Sequence, residues 1–154
     1  MALAKNIFWW LCFIALAICV QSLAPGLDVL VVGIIVLLHE GDWKDLLWLL
    51  PLFALLQEGM GTRPFGAAII WYAATVGIFL IGRWFFEVGN FIFMFLLSAA
   101  LGCAYYGVSW LMAPLQDLTF NVADTLDKSL LQAIFMPFAW RAIVAFRKPV
   151  PKEE

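Results

Sequence analysis

Long apolar runs alternate with short polar breaks along this chain, and six such runs can be read. The first spans Ile7 to Leu23 and stops at Ala24-Pro25-Gly26. The second, Leu27 to His39, is short, and the third runs from Asp45 to Gln57. The fourth covers Phe65 to Ile81, the fifth Phe91 to Met112, and the sixth Leu130 to Phe146. Runs that are apolar all round read as helices in a membrane. A helix perpendicular to the bilayer needs about 20 residues to cross the hydrocarbon. The second and third runs fall short, so they tilt, thin the bilayer or form a re-entrant pair. Six crossings fit best; four remain if those two do not cross. The expected fold is therefore all-α, a polytopic transmembrane helical bundle forming a single domain over residues 1–154.

Composition agrees. Of the 154 residues, 65% are hydrophobic and 13% charged, where a soluble domain carries about a quarter charged. A net charge of −2 offers no basic face for nucleic acid. Lys5, the apolar stretch Ile7–Val20 and the small residues Ser22 and Ala24 could pass for a signal peptide. The stretch is long and aromatic and further spans follow, so it is read as a retained first helix.

Basic residues orient the bundle. With the N-terminus cytoplasmic, Lys5, Lys44, Arg83, Arg141, Arg147, Lys148 and Lys152 fall inside, and Arg63 and Lys128 outside. The arrangement is N-in and C-in, with an even number of crossings. Trp9, Trp10, Trp43, Trp84 and Trp110 lie near span ends, where indole rings favour the headgroup region. From Arg147 to Glu154, two prolines and alternating charge predict a short disordered cytoplasmic end, with 149–154 as its tail.

The longest polar stretch, Pro114 to Ser129, is placed outside. Leu115, Leu118, Val122 and Leu126 recur at spacings of three and four, with Asp117, Asp124, Asp127 and Lys128 elsewhere. This predicts a short amphipathic helix on the outer membrane surface, on a partner or on its own bundle.

Chemistry-bearing residues are few. Cys12, Cys19 and Cys103 all lie in apolar runs and read as small buried hydrophobes. Cys12 and Cys19 are two helical turns apart, about 10 Å, too far for a disulfide. With His39 the single histidine, no histidine-based metal cluster can form, and His39 itself reads as a solvated loop residue. Arg83 and Glu87 are four apart and read as a surface ion pair. Thr75, Ser98 and Ser109 read as helix-packing residues. No nucleophile-plus-base arrangement, phosphate loop, zinc motif or cofactor motif is visible.

The densest break is Glu58-Gly59-Met60-Gly61-Thr62-Arg63-Pro64-Phe65-Gly66-Ala67. Glycines and a proline interrupt regular structure there, and charges beside a span need a partner or water. Glu58 and Arg63 read either as a pair holding the turn or as a polar element for a partner, a proton or a substrate. Gly59, Gly61 and Gly66 allow tight turns, and Pro64 opens the fourth helix. Pro137 interrupts the sixth run and is expected to kink it, freeing the Ala133 carbonyl. Arg141, one turn on, can snorkel to the cytoplasmic headgroups.

Glu58 followed eight positions later by Gly66, with Pro64-Phe65-Gly66 opening the next helix, resembles the rod shape-determining MreD family. There an acidic residue ends one helix and a small-residue turn starts the next. The last helix is similar too: Leu131-Gln132-Ala133-Ile134-Phe135-Met136-Pro137-Phe138-Ala139-Trp140, followed by basic residues. Glu58, where aspartate is more usual, and Arg63 within the turn depart from the family pattern. The resemblance implies a multi-pass scaffold of the bacterial inner membrane, not an enzyme. It implies binding to the single-span protein MreC. It also implies association with the filament MreB, with RodA and with a class B penicillin-binding protein. It further implies a fold similar to the substrate-binding subunits of energy-coupling-factor transporters. Two other readings compete: a small-ligand-binding transporter subunit with Glu58 and Arg63 as contacts, and an accessory packing subunit. For the scaffold, Gly66, Ala67, Ala68, Ala73 and Ala74, and Ser98, Ala99, Ala100 and Gly102, offer small surfaces to another helix.

Overall fold

The computed structural model describes residues 1–24, 26–61, 66–117 and 119–147. They form six helices and no strand among the described residues: α1 (Ala2–Leu23), α2 (Leu30–Glu40), α3 (Trp43–Gly59), α4 (Ala67–Phe85), α5 (Phe91–Leu115) and α6 (Val122–Phe146). Four of these, α1, α4, α5 and α6, are long and apolar enough to cross a membrane. The chain is a polytopic helical membrane protein.

Polar residues at the breaks stop and start the helices. Asp42, Asn90 and Asn121 each accept a hydrogen bond from a backbone N–H of the helix they precede, satisfying a donor the helix leaves open. Gly41, at φ 71°, closes α2 in the left-handed conformation. Three prolines, Pro51, Pro114 and Pro137, lie within helices. Pro137 is buried and α6 continues past it to Phe146.

Side-chain contacts fix the topology. Arg147, after α6, binds Glu40 at the end of α2 and Asn6 near the start of α1. Asn6 also donates to Asp45 in the first turn of α3. These groups define a basal end. At the apical end, Gln21 of α1 meets Gln57 of α3, and Asp28, before α2, meets Gln132 of α6 and Trp71 of α4. The helices therefore alternate in direction, and α1 begins where α6 ends.

The central element is α2, whose residues Leu30 to Leu38 are all buried. Eleven residues make about 16 Å of helix, roughly half the hydrocarbon thickness. Helix α1 packs against α2 and α3 through Trp10, Phe13 and Phe53. On the far side, α5 lies close against α6. A Cβ on Gly102 would stand 3.1 Å from the Ala133 Cβ and 3.2 Å from the Ser129 carbonyl, so glycine sets that approach.

Several expectations are corrected. The outer stretch is not a separate helix: Pro114 and Leu115 end α5, and Val122 to Ser129 are the first turns of α6. Cys12, Cys19 and Cys103 are exposed on the bundle's outer face, not buried. Trp10 is fully buried in the core, whereas Trp43, Trp84 and Trp110 are exposed as boundary residues should be. His39 belongs to the last turn of α2, half-buried and edge-on to Trp140 at 5.4 Å. Arg83 and Glu87 form no ion pair, because α4 stops at Phe85 and Phe86 is extended. Arg147 is buried and bonded rather than part of a loose tail. Of the small residues offered to a partner, Ala67, Ala68, Ser98 and Gly102 are used internally, while Ala73, Ala99 and Ala100 stay exposed.

Candidate functional site

Asp28 is a carboxylate with no exposed surface, set inside an apolar bundle. Burying a carboxylate costs several kcal/mol unless donors replace its water. Here the donors come from two neighbouring elements. The Val31 N–H donates to Oδ1 at 3.2 Å and so caps α2. Trp71 Nε1 donates to Oδ2 at 2.9 Å, and the Tyr72 hydroxyl to Oδ1 at 3.3 Å. Consecutive residues of α4 thus both reach one carboxylate.

The backbone of Asp28 is served as carefully. Its N–H donates to Gln132 Oε1 at 2.8 Å, and Gln132 Nε2 donates to its carbonyl at 3.0 Å. A non-helical backbone is tolerated at membrane depth only if its polar groups are satisfied within the protein. The amide of Gln132, itself fully buried, does this with one donor and one acceptor. Around the cluster, Trp71 stands edge-on to Tyr105 at 5.6 Å. Thr75 bonds back to the Trp71 carbonyl at 2.9 Å, in keeping with its reading as a packing residue.

Two further contacts lie at the same end. Gln21 Nε2 donates to Gln57 Oε1 at 2.8 Å, tying α1 to α3. The Gly66 N–H donates to Glu58 Oε1 at 2.8 Å, tying the end of α3 to the start of α4. Gly66 sits at φ 82° and Gly61 at φ 66°, backbone states that glycine reaches without a steric cost. The Gly61 N–H bonds to the Glu58 carbonyl at 3.1 Å.

Of the residues singled out from sequence, Glu58, Gly61 and Gly66 come together. Arg63 and Pro64 lie outside the described residues. Pro137 is buried in α6, and Arg141 is exposed nearer the basal end, both apart from the turn. The sequence reading missed Asp28, Trp71 and Tyr72, and took Gln132 only as part of a helix. An acid inside an apolar run is a functional signal in a membrane protein, and Asp28 sits inside the Leu27–His39 run.

A second polar cluster closes the basal end. Arg147 Nε donates to Glu40 Oε1 at 2.8 Å, and Nη2 to Asn6 Oδ1 at 3.4 Å. The guanidinium carbon lies 4.7 Å from the Trp9 ring and 4.5 Å from the Trp10 ring, within cation–π range. Among the described residues no three His, Cys, Asp or Glu side chains group as metal ligands.

The fold and site define a class: a polytopic membrane bundle whose half-length central helix is anchored by a buried carboxylate. No protein-family model, curated protein or solved structure matches the chain.

Proposed function

We propose that this protein is a non-catalytic scaffold of the MreD type in a bacterial inner membrane. In this reading it binds the transmembrane region of an MreC-like single-span protein and links MreB to RodA and a class B penicillin-binding protein. The supporting observation is the 2.8 Å hydrogen bond from the Gly66 N–H to Glu58. It joins the two positions, eight residues apart, on which the resemblance rests. An acid that ends one helix and holds the next is a device for setting helix geometry. Exposed Ala73, Ala99 and Ala100 leave small surfaces where another helix can approach.

The test is affinity purification of the tagged protein from its native membrane in mild detergent, with mass spectrometry of what accompanies it. Recovery of an MreC-like protein with the RodA synthase supports the scaffold. Its absence, together with unchanged cell shape on deletion, removes the reading.

A second reading has its own observation. The Asp28, Trp71, Tyr72 and Gln132 cluster has the mix of apolar walls and few polar groups that small-ligand sites use. The protein would then be a ligand-binding transporter subunit, with the six-helix fold of energy-coupling-factor substrate-binding subunits. Co-purification of an ATPase pair, with a ligand-dependent thermal shift abolished by Asp28→Asn, would favour it.

A further inference from the structure

We propose that α1 is a movable side of the bundle, a strap that swings off α2 and α3 about Gly26 while Asp28 holds the rest in place. Motion of this kind is independent of which partner or ligand the protein serves.

Helix α1 is the least enclosed of the four long helices. Its buried face is Trp10, Phe13, Ile14, Ala17 and Gln21, with Trp9, Ile18 and Val20 partly buried beside them. The Phe13 ring fills the notch that Gly33 leaves on α2, 2.6 Å from where a Cβ would stand, and packs beside Phe53. In a bilayer no hydrophobic drive seats this apolar face, which leaves close packing and polar contacts to hold α1 closed.

The polar ties are at the two ends. At the apical end Gln21 holds Gln57. At the basal end Arg147 lies against the Trp9 and Trp10 rings and bonds Asn6, which bonds Asp45. The ties are incompletely satisfied. Four buried side-chain polar atoms lack a hydrogen-bond partner among the described residues: Trp10 Nε1, Gln21 Oε1, Trp140 Nε1 and Arg147 Nη1. Two of them are on the inner face of α1, and a third belongs to the guanidinium that α1 packs against. Unpaired buried polar atoms weaken the closed state, and here they gather along one seam.

Between α1 and α2 the chain passes Gly26, against which the Lys128 side chain packs. Gly26 has φ 96°, a backbone state open to glycine. Two residues later Asp28 is fixed by bonds to α4 and α6. Movement of α1 therefore stops at Asp28 and leaves α2 seated.

The experiment uses the native cysteines. Cys12 on α1 and Cys103 on α5 are both exposed. In the full chain with Cys19→Ser, spin labels at these positions in lipid nanodiscs report the distance by pulsed electron paramagnetic resonance. Two distance populations are expected. Arg147→Gln removes the basal cation and should raise the longer-distance fraction about fivefold. Asn6→Ala, at a half-buried position, is the milder variant and should raise it by less; it decides the matter if Arg147→Gln does not fold. A control pair without α1, Ala73→Cys with Cys103 and with Cys12 and Cys19 as serine, should keep one distance throughout. A single unchanged Cys12–Cys103 distance in the folded variants overturns the proposal, and so does equal broadening of the control pair.

Discussion

At the residue scale the molecule turns on Asp28. Its carboxylate accepts from the Val31 N–H, Trp71 Nε1 and the Tyr72 hydroxyl. Asp28→Ala strands these donors, and each buried donor without an acceptor costs about 1–3 kcal/mol. We expect a loss of about 3 kcal/mol or more, seen as a fall in Tm in detergent. Asp28→Asn should fall between. Tyr72 can turn its hydroxyl to accept, but Trp71 Nε1 and the Val31 N–H only donate. Either orientation of the new amide sets an NH2 against one of them. An Asn variant as stable as the parent would show that the carboxylate is not what holds α2.

Glu58 gives a contrasting case. Its side chain accepts one hydrogen bond from the Gly66 N–H, and a glutamine can accept the same bond. Glu58→Gln should therefore leave Tm nearly unchanged, while Glu58→Ala should lose about 1 kcal/mol, the usual value of a helix cap. Equal losses in both variants would mean that the charge, not the bond, is what the turn needs.

At the element scale, glycines separate packing from open lipid-facing surface. A Cβ at Gly102 meets α6 at 3.1–3.2 Å, whereas at Gly77 and Gly107 it meets nothing within 4 Å. Gly102→Leu should force α5 and α6 apart and cost about 1–3 kcal/mol. Gly107→Leu should be neutral in Tm, because its side chain enters lipid. Denaturation of the two variants side by side distinguishes them. A destabilising Gly107→Leu would reveal a contact on the outward face of α5.

The helices themselves were legible because apolar runs and Pro/Gly breaks are local signals. Boundaries drifted where polarity and helicity part company: Val122 to Ser129 are polar enough to read as a surface helix, yet they continue into α6. The Glu58–Gly66 bond was legible because both partners lie in one loop. The Asp28 cluster was not, since its partners are 43 and 104 residues away and only the folded bundle brings them together. Arg147 was misread for the same reason: its partners Glu40 and Asn6 lie 107 and 141 residues back.

At the scale of the whole molecule, charge and topology make one prediction together. The described basic residues Lys5, Lys44, Arg83, Arg141 and Arg147 belong to the basal half, and Lys128 to the apical half, where its chain covers Gly26. Lys and Arg are retained on the cytoplasmic side during insertion, so the basal end should face the cytoplasm. Gln21 reaches Gln57 and Asp28 reaches Gln132 at one end, while Asn6 reaches Asp45 and Glu40 holds Arg147 at the other. The contacts therefore run α2 and α3 from one end of the bundle to the other in alternating directions. In a variant with the native cysteines replaced by serine, single cysteines at Lys44 and at Asp127, both in exposed positions, should behave oppositely towards an impermeant maleimide applied to intact cells. Asp127→Cys should label, and Lys44→Cys should label only after the membrane is opened. Labelling of both from outside would place the start of α3 on the same side as the start of α6, and the alternating six-helix arrangement would have to be abandoned.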